Sequence, residues 1–231
     1  MFDIRARLVN NELLIFHGIS PTGYSYVDVL TAFFIFLEAN PGEALIMRLM
    51  EEVNSINSDI SFIEAFNKYR FNDTRTAAGA AKHLWIPSYP GPRRVPDLGE
   101  LRGKILILQN FGSQPAEFGI KWESPLLSIQ DRFVVPNLYA GMDKKFEAIV
   151  DGLEKAANGT AIHDGRLYLG HLSGSVYVLP IEVAAGTRNG KVKGMNDRTG
   201  EWLRAGNGKT TGVVIMDFPG QELVREILSR N

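Results

Sequence analysis

The chain has 231 residues, of which 45% are hydrophobic and 22% are charged, as in an ordinary globular domain with a full core. A formal net charge of -1 excludes the basic surface that nucleic-acid binding requires, and no basic arm for anionic membranes is present. The absence of cysteine excludes disulfides and thiolate metal sites.

The chain opens on an alternating segment, Phe2 to Leu8, which predicts a strand with Asp3, Arg5 and Arg7 on one face. The Asn10-Asn11 pair predicts a turn. A second strand, Glu12 to Phe16, follows it and ends in His17-Gly18. Because no charged and then apolar leader precedes the first strand, we expect the chain to begin inside a domain.

A capping box at Ser25 to Asp28 predicts the start of a helix, which Pro41-Gly42 ends. Within it, 32–37 is the longest apolar run of the chain, far shorter than the ~20 residues that a membrane span needs. The remaining predicted elements are, in chain order, a strand at 44–49, a helix at 59–69, a loop at 87–96, a turn at 98–103, a strand at 104–108, a short strand at 128–133, a helix at 143–157, strands at 166–171 and 211–218, and a helix at 221–230.

Buried strands that alternate with helices predict a parallel α/β fold. A barrel is preferred over an open sheet because the first strand has a polar face. Barrel interiors carry polar groups near the rim where sites lie, whereas strands of open parallel sheets are apolar on both faces.

Several segments, in order, resemble the X domain of the phosphatidylinositol-specific phospholipase C family. They are 2–8, 15–18, 40–47, 98–108, 128–133 and 212–218. The resemblance implies that 1–231 forms one distorted, incomplete TIM-type (β/α) barrel that lacks its first strand. It also implies the reaction: the inositol 2-hydroxyl attacks the phosphodiester and releases diacylglycerol and a cyclic inositol phosphate.

The resemblance gives Arg5 the role of holding the phosphate. Eukaryotic relatives place acidic calcium ligands at this point, and bacterial-type relatives place an arginine whose guanidinium substitutes for the metal. We therefore expect no metal and no cofactor. The adjacent Glu51 and Glu52 face opposite ways on a strand, so they predict no metal site either. The simpler alternative is that Arg5 only pairs with Asp3 on one strand face.

His17 corresponds to the general acid of the family, and Asp217 to the carboxylate that orients the other catalytic histidine. Without the resemblance, a histidine at a strand end is more often structural, and an aspartate after a strand more often caps the next helix. His171 also follows a strand, but the resemblance gives it no role.

Headgroup contacts are implied at Asp131, which matches an acceptor of inositol hydroxyls, and at Phe133, which replaces a stacking tyrosine. A lysine and an arginine of bacterial relatives are replaced by Met50 and Asn110, and Arg48, on the same strand face as Met50, partly compensates. The predicted substrate-binding residues are Asp3, Arg48, Asp131 and Phe133. Trp122 is expected to pack in a loop or to face the bilayer.

The family's first strand carries the histidine that serves as general base, and this chain begins after it. Since such a base contributes ~10²–10⁴-fold, we expect the chain as written to be nearly inert and the natural product to be longer. The expected partner is a phospholipid at a membrane surface, with no nucleic acid and no transmembrane segment. We expect a monomer, and the resemblance favours secretion.

Two alternatives remain. One is a non-catalytic barrel that binds phospholipid or inositol phosphate. The other is a glycerophosphodiester phosphodiesterase, which ranks lower because it needs acidic metal ligands where Arg5 stands.

Overall fold

The protein was analysed as a computed structural model that describes residues 1–88, 94–112 and 118–230. The chain divides into two compact units, Met1–Ser124 and Pro125–Asn231. Each unit has its own sheet and its own apolar core.

The first unit contains a seven-stranded sheet in the order β3-β2-β1-β4-β6-β5, with β7 also paired to β6. Its strands are β1 (Phe2–Val9), β2 (Glu12–His17), β3 (Ser20–Ser25), β4 (Leu45–Glu51), β5 (Leu84–Trp85), β6 (Ile105–Asn110) and β7 (Ile120–Lys121). Its helices are α1 (Tyr26–Ala39), α2 (Phe62–Phe71), α3 (Ala77–His83) and α4 (Leu98–Leu101).

Strand pairing differs from the prediction at the start of the chain. β1, β2 and β3 pair antiparallel, which the prediction of parallel pairing did not include, whereas β1, β4 and β6 are parallel as expected. Asn10 and Asn11 both have left-handed φ angles, 50° and 64°. A two-residue turn of this kind matches the twist of a hairpin and turns the chain straight back.

Helix α1 begins as its capping box predicts. The Ser25 hydroxyl accepts the Asp28 N–H at 3.3 Å, and the Asp28 carboxylate accepts the Ser25 N–H at 2.7 Å. Apolar residues of α1 and α2 pack on the face of β1 that carries Ala6 and Leu8. The opposite face of β1 is left for polar side chains, and the candidate site lies there.

The second unit contains three parallel strands in the order β10-β9-β8. The strands are β8 (Leu127–Gln130), β9 (Leu167–His171) and β10 (Val213–Ile215); the helices are α5 (Ala140–Ala161), α6 (Pro180–Ala185), α7 (Met195–Arg204) and α8 (Gln221–Leu228). Its core is formed by α5, α7 and α8 around residues such as Met142, Ile149 and Leu203.

The main helices and strands lie where the sequence predicts them, with shifted ends. Helix α2 begins at Phe62 because Ser61 caps it, accepting the Glu64 N–H. The segment predicted as a turn at 98–103 begins with the short helix α4. The elements that were not predicted are β3, α3, β5, β7, α6 and α7. Part of the predicted loop at 87–96 lies outside the described residues. In the part of the chain that the structure describes, the strands form no closed ring, and no helix has the length and apolar character to span a bilayer.

Candidate active site

Arg5 stands on the polar face of β1 between two carboxylates. Its Nε donates to Asp3 Oδ2 at 3.1 Å, and its Nη1 lies 3.4 Å from Glu52 Oε1. Partial burial alone would lower the pKa of Arg5, but the charges of Asp3 and Glu52 outweigh it and raise the pKa above its usual value. The side chain is still 35% exposed. Arg5 is thus a permanent cation, held in place and open to solvent.

Glu52 is the residue of this group that the sequence analysis missed. One of its oxygens, Oε1, accepts hydrogen bonds from Arg5 Nη1 and from the Gly18 N–H, the latter at 2.7 Å. The Glu52 side chain is only 6% exposed, and Oε2 is buried without a hydrogen-bond partner among the described residues. Glu52 lies just beyond β4, where its N–H donates to Ala6 O of β1 at 2.9 Å. Only the register between β1 and β4 reveals this position.

His17 ends β2 and is exposed. Its imidazole makes no hydrogen bond or ion pair within the described ranges. The backbone of the next residue, Gly18, is tied to Glu52 Oε1, the oxygen that also faces Arg5. A register irregularity between Leu14 and Phe16 interrupts the alternation of β2 before His17. Glu52 therefore links the Arg5 guanidinium to the turn that carries His17.

Arg48 lies behind this group, opposite Asp3 in the parallel register of β1 and β4. Its Nη1 is 3.5 Å from Asp3 Oδ1, and its guanidinium carbon lies 4.1 Å from the ring centroid of Trp122. Arg48 is buried, and its Nε has no hydrogen-bond partner in the part described. Trp122 is half-buried in this stack, as the loop-packing alternative expects.

Three positions stand side by side across the first sheet. Arg5 of β1 is in register with Met50 of β4, and Met50 with Asn110 of β6. The two positions at which the resemblance expects cations are neutral in this chain. Arg5 is the one charged member of the row.

In the second unit, charged groups collect where the parallel strands end. Asp131 directly follows β8, His171 is the last residue of β9, and Asp217 lies two residues beyond β10. His171 Nδ1 is 3.9 Å from Asp131 Oδ1. Phe133, two residues after Asp131, has an exposed ring.

Lys145 of α5 is fully buried beside this group, and its Nζ donates to His171 O at 2.7 Å. Burial lowers the pKa of Lys145 to about 8; the charges of Asp131 and Asp217 oppose the shift, and Arg132 adds to it. Partial burial raises the pKa of Asp217, against the influence of His171 and Lys145. Lys145 was not predicted, although it falls on the buried stripe of α5 between Met142 and Ile149.

No group of three or more His, Cys, Asp or Glu side chains that could hold a metal ion occurs in the described ranges. The first unit contains a group formed by an arginine and two carboxylates. The second unit contains a separate group of carboxylates, an imidazole and an ammonium.

Comparison with known proteins places these features in a class of enzymes. No protein-family model matches the chain. It is 30% identical over 241 aligned positions to a 1-phosphatidylinositol phosphodiesterase of Listeria monocytogenes, covering 99% of this chain and 67% of that protein.

Solved structures agree. The phosphatidylinositol-specific phospholipase C from Listeria monocytogenes matches 100% of this chain and 78% of its own, with a TM-score of 0.77 and 26% identity. A Staphylococcus aureus phosphatidylinositol-specific phospholipase C matches 100% of this chain and 79% of its own, with a TM-score of 0.71 and 23% identity. The fold is that of the phosphodiesterase barrels, which confirms the predicted α/β fold class. The chain belongs to the phosphatidylinositol-specific phospholipase C family.

The buried ammonium of Lys145 predicts a pH dependence of stability. The pKa of Lys145 is about 8 in the folded protein against 10.5 for an ordinary lysine, so between these pH values the unfolded chain binds more protons and stability rises with pH. Below pH 8, folding carries the full free-energy cost of burying the charged ammonium of Lys145. We expect the stability advantage of Lys145→Met over wild type to shrink by about 3 kcal/mol between pH 7 and pH 10.5.

Denaturant unfolding at several pH values in this range measures the difference. Lys155→Met is the matched control, because Lys155 is an exposed lysine of the same helix, paired with Asp151. The difference in free energy of unfolding between Lys155→Met and wild type should stay constant with pH. Parallel curves for Lys145→Met and wild type would contradict the prediction.

Proposed function

We propose that the protein is a metal-independent phospholipase C that cleaves phosphatidylinositol or a glycosylated relative. Its products are diacylglycerol and a cyclic inositol phosphate. The observation that carries the proposal is the placement of Arg5: it is fixed by Asp3 and Glu52, it retains 35% exposure, and it is tied through Glu52 to the turn after His17. Membership of the family supports the same reaction.

Arg5 acts in this proposal as the fixed cation beside the phosphate. A guanidinium donates hydrogen bonds in a planar fork that fits phosphate oxygens, and its charge stabilises the pentacovalent transition state. Asp3 and Glu52 orient it before substrate binds, so little reorganisation is needed during the reaction.

His17 acts as the general acid. The inositol 2-oxygen forms a bond to phosphorus, the bond from phosphorus to the glycerol oxygen breaks, and the imidazolium proton passes to that leaving oxygen. The proton of the 2-hydroxyl passes to a general base, a histidine in the family, and we assign Asp217 the role of orienting that base. The exposure of His17 and its lack of protein partners in the described ranges leave its imidazole accessible to substrate.

The inositol ring is bound, in our proposal, by Asp3, Arg48, Asp131 and Phe133. Asp131 is exposed and can accept ring hydroxyls, and the exposed ring of Phe133 offers a stacking face. Arg48 contributes its charge through Asp3, which it contacts at 3.5 Å. This charge partly offsets the loss of cations at Met50 and Asn110.

We further propose that both units belong to one catalytic domain, residues 1–231, that acts as a monomer at a membrane surface. A single Listeria relative aligns with 99% of the chain, so both units match one protein.

Exposed apolar residues in the second unit offer a lipid contact. Tyr177 is 86% exposed, and the exposed apolar residues near it in sequence or across the Val134–Ser175 bridge are Phe133, Val134, Val176 and Leu179.

The role of Arg5 is tested by diacylglycerol release from the natural protein in the presence of chelator. We expect activity to persist in chelator and Arg5→Lys to lower turnover about 10²–10³-fold, because lysine keeps the charge but loses the fork. Arg7→Lys is the control. It lies on the same strand face but donates to Asn54 O, so its turnover should match wild type. Activity that chelator abolishes and calcium restores would refute the metal-independent assignment.

His17 is tested by the leaving group it must protonate. We expect His17→Ala to lower turnover of the natural lipid about 10²–10⁴-fold. With a nitrophenyl phosphodiester, whose leaving group needs no proton, the loss should be much smaller. His163→Ala, at an exposed histidine of the second unit, serves as the control. Equal losses on both substrates, or none on the lipid, would rule out the acid role.

The lipid contact is tested with vesicles of neutral phosphatidylcholine. Replacing Tyr177 and Leu179 by serine should weaken vesicle binding by about tenfold or more, because the wild-type side chains at both positions would bury apolar surface in the membrane interface. Cleavage of a soluble, short-chain substrate should be unchanged. Ile162→Ser, at an equally exposed apolar residue after α5, should bind vesicles as wild type does. The reverse ranking of the two variants would place the contact elsewhere.

A further inference from the structure

The backbone that carries Asp217 is held by one side chain, that of Asn196. Asn196 is the second residue of α7 and is 9% exposed. Its Nδ2 donates to two successive carbonyl oxygens, Asp217 O at 3.0 Å and Phe218 O at 3.1 Å. A carbonyl oxygen only accepts hydrogen bonds, so the atom that faces both must be the amide nitrogen.

Within the described ranges, strand pairing does not extend to the carbonyl groups of 217–218. Pairing of β10 with β9 ends at Ile215, where Leu172 N–H donates to Ile215 O at 2.7 Å. Phe218 has a φ of 47°, in the left-handed region that is uncommon for residues other than glycine. A conformation of this kind persists only when its surroundings enforce it. The two bonds from Asn196 are placed to do so.

The position of Asp217 matters because its carboxylate is half-buried close to other charges. Burial raises the pKa of Asp217, and His171 and Lys145 act against the rise. A displacement of the segment would change the balance of these influences and the direction in which the carboxylate points. Misplacement of about 1 Å is enough to lower a rate about 10²-fold.

We propose that Asn196 is a positioning residue that fixes Asp217 for the reaction. The inference rests on the proposed function, which gives Asp217 the support of the catalytic base. Asn196 itself touches no reacting atom. It acts through the backbone of 217–218, and an amide is suited to the task because it donates to both carbonyl groups while carrying no charge.

The test uses Asn196→Asp, which keeps the shape of the side chain but presents an oxygen to both carbonyl groups, and Asn196→Ala, which removes the contact without adding charge. The matched control is Asn207→Asp. Asn207 is an exposed residue of the same unit whose Nδ2 also donates to a backbone carbonyl, Trp202 O, at 2.9 Å. Backbone order parameters of 216–218 are measured by ¹⁵N NMR relaxation in the natural protein.

We expect the backbone order parameters of 216–218 to fall from about 0.85 to below about 0.6 in both Asn196 variants, and to stay unchanged in Asn207→Asp. Turnover should fall about 10–100-fold in the Asn196 variants with little change in KM, because ground-state contacts are untouched. In an Asp217→Ala background, Asn196→Ala should cause no further loss, since its effect passes through Asp217.

The outcomes separate this inference from the function on which it rests. Wild-type turnover in Asp217→Ala would overturn the role of Asp217, and with it the catalytic consequence of Asn196. Unchanged order parameters of 216–218 in Asn196→Ala would overturn the positioning itself, whatever Asp217 does. Additive losses in the double variant would assign Asn196 a general structural role and likewise overturn the proposal.

Discussion

The geometry of the first unit depends on the contact between the Arg5 guanidinium and the carboxylates of Asp3 and Glu52. The contact joins β1 to the end of β4 and, through Gly18, to the end of β2. Removing the arginine would leave Asp3 paired with Arg48, but it would leave the almost fully buried carboxylate of Glu52 without its cation, and such uncompensated charge is strongly destabilising. Because the same guanidinium is partly exposed, the group that organises the site is also the group that can meet a ligand.

The second unit also pairs a cation with carboxylates, but there the cation is the buried partner. Its cation, Lys145, is fully buried, and its carboxylates at 131 and 217 lie nearer the solvent. Burial readily lowers the pKa of a lysine, as it does for Lys145, whereas a buried arginine keeps its charge. A permanent cation therefore stands where a phosphate is proposed to bind. The titratable cation stands where it can balance two carboxylates and hold the end of β9.

Local features of the fold could be predicted, and those that depend on distant pairing could not. The capping box of α1, the Asn10-Asn11 turn and the polar face of β1 are encoded within a few residues. The place of Glu52 depends on the register between β1 and β4, which no local pattern specifies. Lys145 did have a signal, since it interrupts an apolar stripe, but a lysine at such a position usually extends to solvent. Asn196 carries no local mark of its contact with 217–218.

The charges of the first unit make phosphate binding depend on Arg5 in the proposed mechanism. Asp3 and Glu52 formally cancel Arg5 and Arg48, and the neighbours of Arg5 in the row, Met50 and Asn110, are neutral. A phosphodiester brings one negative charge into this balanced group. Because the residues at 50 and 110 are neutral, the partly exposed guanidinium of Arg5 is the charged group of this row that can meet the phosphate in the proposed mechanism. Phosphate recognition would therefore depend on the same guanidinium that the carboxylates of Asp3 and Glu52 hold in place.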